Sequence, residues 1–188
     1  MTAPATVGGD DRLRLFLALD VPDEVSVELR SWADRHLARG RALDSYHLTL
    51  AFLGAQSAAV VQPVTELLCR EAAATEPFGL DVVGYRETRS VGMLVLADPS
   101  GRATSLADRV QAALVHLGVY EREARPWLPH VTVVRFRGRP RLDPPLPTIR
   151  TFAPSEAAAL LSRLRPSGAS YEVLESCPLG TADRRMRE

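Results

Sequence analysis

The chain has 188 residues, 46% of them hydrophobic and 24% charged, the balance of one ordinary globular domain. Its 23 acidic and 23 basic side chains cancel, and every base is arginine. Without lysine there can be no Schiff base, no pyridoxal phosphate anchor, no Walker-A loop and no ligase that carries a nucleotide on lysine.

The two cysteines, Cys69 and Cys177, are too few for a disulfide scaffold or a thiolate metal site. Residues 1–11 are small and polar and lack the apolar core of a signal peptide. No apolar run nears the ~20 residues of a membrane helix. These features predict a soluble, cytoplasmic protein in a reducing compartment, with a flexible tail over 1–11.

In chain order, the apolar run 13–19 has strand length. Asp20, Pro22 and Asp23 then signal a turn and a helix start. Val25, Leu29, Trp32, Ala33 and Leu37 recur with helical spacing, and Gly40 supplies a stop. A strand is expected over 46–53, closed by Gly54, and a helix over 57–74 with Pro63 inside it. Further strands are expected over 78–85 and 93–97. Leu106, Val110, Leu114 and Leu117 mark a helix ended by Gly118, and a strand follows over 128–136. The proline-rich stretch 140–147 cannot be a central strand. Three short strands are expected over 149–152, 157–165 and 170–175. The helix propensity of 156–164 is set aside because Pro166, Ser167 and Gly168 form a hairpin turn.

The two halves repeat. Each runs strand, Asp with a nearby Pro, helix ending in Gly, loop, strand, Gly. Each final strand carries His-x-Thr: HLTLAFLG at 47–54 and HVTVVRFRG at 130–138. Side chains alternate faces along a strand, so His47 shares a face with Thr49, and His130 with Thr132. Leu48, Leu50 and Phe52 are expected on the opposite, apolar face. Two histidines across a cleft suit paired acid–base work. The unperturbed imidazole pKa of ~6.5 allows one neutral and one protonated ring near neutral pH. Neither motif has a neighbouring carboxylate, so no metal is implied.

Arg135, Arg137, Arg139 and Arg141 alternate just after the second motif. The arginine fork suits phosphate oxygens. Strict alternation puts Arg135 on the face away from His130, so it reaches the cleft only through a strand end, twist or bulge. Arg137 to Arg141 read as a charged edge. His36 and His116 fall late in helices, where a cation suits the helix dipole. Trp32 reads as core and Cys69 as a buried helix residue. Tyr46 and Trp127 precede the motifs and could flank the cleft or stack on a base, with core or rim packing an equal alternative for both.

Together HLTLAFLG, RPWLPHVTV followed by Arg135, the opening LRLFLALDVP and the ending GASYEVLESCPL resemble the two-histidine (2H) phosphoesterase superfamily. The resemblance is to its RNA 2',3'-cyclic phosphodiesterase branch, historically called 2'-5' RNA ligases. It covers residues 12 to about 179. It implies a bilobal α+β fold of two antiparallel sheets around a pseudo-twofold cleft, with helices outside. The expected organisation is a tail over 1–11, one bilobal domain over 12–180 and a tail over 181–188. The resemblance implies hydrolysis of terminal 2',3'-cyclic phosphates to 2'-phosphates, without metal or cofactor. By position, His47 resembles the proton donor and His130 the acceptor. Thr49, Thr132 and Arg135 fall on phosphate-contacting positions. Val134 replaces a more usual alanine, and 84–92 departs in composition.

The implied partners are RNA 3' ends bearing the cyclic phosphate, or small cyclic nucleotides. A monomer is expected, with no membrane. Two alternatives stay open: 2'-5' end joining by the reverse reaction, and an RNA-end-binding module without turnover.

Overall fold

The computed structural model describes residues 12–43, 45–138, 140–165 and 168–180. The tails expected at 1–11 and 181–188, and the turn residues 166 and 167, lie outside the described residues. The elements are β1 (Leu13–Asp20), α1 (Asp23–His36), β2 (Arg41–Ala42), β3 (His47–Gln56), α2 (Val61–Ala73), β4 (Leu80–Glu87), β5 (Val91–Ala97), α3 (Arg102–His116), β6 (His130–Arg135), β7 (Thr151–Phe152), β8 (Glu156–Arg165) and β9 (Gly168–Pro178). They form the expected α+β architecture of two antiparallel sheets. One has strand order β3-β1-β8-β9 and the other β2-β6-β5-β4-β7.

The continuous apolar run of β1 follows from its position. It is an interior strand covered on both faces, and Leu15 to Leu19 are all buried. The same pressure settles 156–165. Its alanines and leucines favour a helix in isolation, but β8 lies between β1 and β9 and buries Ala157, Ala158, Ala159 and Leu161. Pro63 breaks nothing, because a short 3₁₀ turn at Ala58–Val60 precedes α2 and leaves Pro63 in its first turn.

The duplication is visible in the sheets. β3 and β1 pair antiparallel, as do β6 and β5. Each half sends its helix to the other sheet: α1, between β1 and β3, packs on β6, while α3, between β5 and β6, packs on β3. Trp32 of α1 is buried, as expected. Its ring lies 6.2 Å from that of Tyr85 on β4, and its indole N–H donates to the Pro145 carbonyl at 2.8 Å. This exchange of helices ties the two sheets into one core.

The cysteines correct the sequence reading. Cys69 of α2 and Cys177 of β9 form a disulfide, with Cα atoms 4.8 Å apart. Cys69 is half-buried beside the core rather than fully within it, while Cys177 is buried. A separation of 108 positions hid the contact, which exists because α2 packs across β8 and β9.

Candidate active site

His47 opens β3 and His130 opens β6, at the place where the two sheets approach through these strands. His47 pairs with Asp20 of β1, and His130 with Val95 of β5. His47, Thr49, His130 and Thr132 are all half-buried, while Leu48, Leu50, Val131 and Val133 between and beyond them are buried. The alternation expected from the motifs holds up to each threonine.

Beyond each threonine it fails, and in the same way. Ala18 pairs with Thr49 and Leu17 with Ala51, leaving Leu50 as an extra residue in β3. Met93 pairs with Thr132 and Gly92 with Val134, leaving Val133 as an extra residue in β6. Each extra residue is a β-bulge that shifts the following side chains to the other face. Two consecutive residues are therefore buried in each strand: Leu50 with Ala51, and Val133 with Val134. The bulge turns Arg135 to the face of His130 and Thr132, which strict alternation denied it.

Phe52 holds the matching place in β3. It was expected in the core with Leu48 and Leu50. Instead it is 48% exposed and lines the cleft, with the Arg14 guanidinium 5.0 Å from its ring centre.

A bulge frees backbone groups from the ladder, and the second half of the chain satisfies them. Gln111 of α3 is buried and donates to the Leu50 carbonyl at 2.8 Å. The Trp127 indole N–H donates to the Thr49 carbonyl at 2.9 Å. Gln111 went unremarked in the sequence. Its signal is a polar residue on the buried face of α3 beside Ala107 and Leu114, where only a partnered amide is tolerated. Of the two readings open for each, Trp127 takes the cleft flank, and Tyr46 takes the core and offers no stacking face. Burial also raises the Tyr46 phenol above its usual pKa.

The two imidazoles differ in environment. His130 Nδ1 lies 2.8 Å from the Leu128 carbonyl. A carbonyl can only accept, so Nδ1 carries a proton, and Nε2 is a bare acceptor whenever the ring holds no second proton. His47 sits between aromatic rings, with Phe16 at 5.0 Å and Tyr171 edge-on at 5.1 Å. Its pKa is pushed down to about 4, first by burial, then by the positive field of Arg135 and, when that ring is protonated, of His130. The field of Arg135 at His47 agrees with the bulge geometry. In the free protein, burial and Arg135 therefore disfavour the protonated form of His47, the ring expected to act as donor, near neutral pH.

The consequence for titration is direct. The folded-state pKa of His47 lies below its unfolded value of ~6.5, so the unfolded chain binds more protons between the two. The associated stability is complete above ~6.5 and declines as pH falls toward about 4. By NMR the His47 ring is expected to titrate near pH 4, and Arg135→Gln is expected to move that midpoint upward. A midpoint near 6.5, unmoved by Arg135→Gln, would contradict this account.

His36 and His116 are exposed in the last turns of α1 and α3, as expected. Phe16 and Tyr171 were missed as site residues. Phe16 is one apolar letter in LRLFLAL, and Tyr171 reaches His47 from far along the chain. Among the described residues no three His, Cys, Asp or Glu side chains cluster as metal ligands, and no helix is long and apolar enough to cross a membrane.

Comparison with known proteins agrees with this architecture. The chain is 31% identical over 126 residues to the RNA 2',3'-cyclic phosphodiesterase of Escherichia coli K12, covering 65% of this chain and 71% of that protein. It is 27% identical over 179 residues to the enzyme of the same name from Thermotoga maritima, covering 88% and 95%. The crystal structure of E. coli LigT complexed with 3'-AMP superposes with a TM-score of 0.78 at 26% identity, covering 89% of this chain and 98% of LigT. Residues 21–165 match the family model of the 2'-5' RNA ligase superfamily. The paired His-x-Thr strands, the swapped helices and these matches together place the chain in the 2'-5' RNA ligase superfamily.

Proposed function

We propose that this protein hydrolyses the 2',3'-cyclic phosphate at RNA ends to a 2'-phosphate, by paired histidine acid–base catalysis without a metal. The observation that carries the reading is the hydrogen bond from His130 Nδ1 to the Leu128 carbonyl, which leaves Nε2 free as a base. His130 takes a proton from the attacking water as its oxygen bonds to phosphorus. The bond from phosphorus to O3' breaks, and His47 gives O3' its proton. The charges balance, because the phosphodiester anion raises the His47 pKa that burial and Arg135 hold down. Thr49 and Thr132 donate hydroxyl hydrogen bonds to non-bridging oxygens. Arg135 holds the phosphate through its guanidinium. The exposed ring of Phe52 offers a stacking face for the terminal base.

This assignment links the two kinetic profiles. The kcat/KM profile reports the free enzyme and the kcat profile the complex, so the alkaline limb in kcat is expected at higher pH. The decisive assay incubates the protein with a nucleoside 2',3'-cyclic phosphate in EDTA and separates the products. The expected product is the 2'-phosphate, formed at an undiminished rate. A strict metal requirement, or a 3'-phosphate as sole product, would overturn the mechanism. Tight binding of a cyclic-phosphate oligonucleotide without turnover would instead favour an RNA-end-binding module.

A further inference from the structure

We propose that Arg86 forms a second phosphate site in the cleft. It would receive the internucleotide phosphate on the 5' side of the terminal nucleotide, making RNA a better substrate than a free cyclic mononucleotide. The inference rests on the phosphodiesterase reading and extends it to substrate class. Arg86 of β4 pairs with Met93 of β5, and Met93 pairs with Thr132 of β6. Directly opposed residues in an antiparallel sheet share a face, so this row runs along the cleft wall from Thr132 outward. Strands lie ~4.8 Å apart, which sets the Arg86 backbone roughly 10 Å from that of Thr132.

Beside His130 and Thr49 lies a cavity of about 380 Å³, whose lining includes Phe52, Met93, Tyr120, Trp127 and Arg86. That volume and its aromatic walls suit one nucleoside. Arg86 is exposed there, and among the described residues no carboxylate pairs with it. Arg125, on the same cavity, is paired with Glu123 at 2.6 Å. The positive charge available to a ligand is therefore concentrated on Arg86. A nucleoside 2',3'-cyclic phosphate ends in a 5'-hydroxyl, whereas an RNA end continues there as a phosphodiester. With the cyclic phosphate at the histidines and the nucleoside in the cavity, that phosphodiester emerges beside the guanidinium. Arginine's planar fork matches two of its oxygens.

The test compares a nucleoside 2',3'-cyclic phosphate with a dinucleotide ending in the same group, on wild type, Arg86→Ala and Arg86→Lys. Wild type is expected to favour the dinucleotide by roughly tenfold in kcat/KM, mainly through KM, as one charged hydrogen-bonded contact would give. Arg86→Ala should abolish that preference, change mononucleotide turnover less than about twofold, and flatten the dinucleotide's salt dependence. Arg86→Lys should restore part of the preference, since it keeps the charge and loses the fork. An unchanged preference in Arg86→Ala, or an equal loss on both substrates, would overturn the Arg86 site and leave the phosphodiesterase reading standing. No turnover of either substrate by wild type would overturn both.

Discussion

Replacing either His47 or His130 with alanine is expected to lower kcat by roughly 10²–10⁴-fold while the protein stays folded. Both rings sit at the start of their strands, half-buried over the cleft, and neither belongs to the buried core. The two losses should not add in the double variant, because residues acting in one proton relay fail together. The roles separate on a phosphodiester with a p-nitrophenolate leaving group, which departs without a proton. On that substrate His47→Ala should regain most of its lost rate, while His130→Ala should not, since water still needs a base. Equal rescue of both variants would reverse or erase the assignment. Full activity of either variant on the cyclic phosphate would remove that histidine from the mechanism.

The shared face of each His-x-Thr pair was legible in the sequence because period-two alternation needs only local backbone geometry. Its limit is one residue past each threonine. The bulges at Leu50 and Val133 add a residue with no partner, and nothing in the letters HLTLAF or HVTVVR marks where the ladder slips. Arg135 was therefore placed at the cleft only on condition of a strand end, twist or bulge, which the register slip at Val133 supplies, and Phe52 was put in the core. The pairing partners supply the missing information. Gln111 and Trp127 hold the carbonyls of Leu50 and Thr49 from the other half of the chain. The aromatic cage on His47 was hidden for the same reason, since Phe16 and Tyr171 meet it only once β1, β8 and β9 are aligned. The two-residue strand β2 carries no periodicity at all and exists because Arg41 pairs with Arg135.

The disulfide is where charge and periodicity had least to say, and it carries the second large expected effect. Reducing Cys69–Cys177, or replacing both with serine, is expected to cost about 4–5 kcal/mol of stability, because the bond closes a loop of 108 positions in the unfolded chain. For a chain of this length that corresponds to a fall in Tm of roughly 10–15 °C. Folding should survive the loss. α2 keeps Val64, Leu67, Leu68 and Ala72 buried, and β9 keeps its full pairing with β8. The chemistry should survive as well, since Cys69 and Cys177 stand apart from both His-x-Thr strands, and turnover at 25 °C is expected to be unchanged on reduction. Thermal melts with and without reductant, paired with intact mass under non-reducing conditions, decide the matter. If the oxidised mass is found and reductant leaves Tm where it was, the packing of α2 on β8 and β9 alone holds this corner together. Free thiols in the protein as purified would remove the cross-link itself and restore the reading of two reduced cysteines.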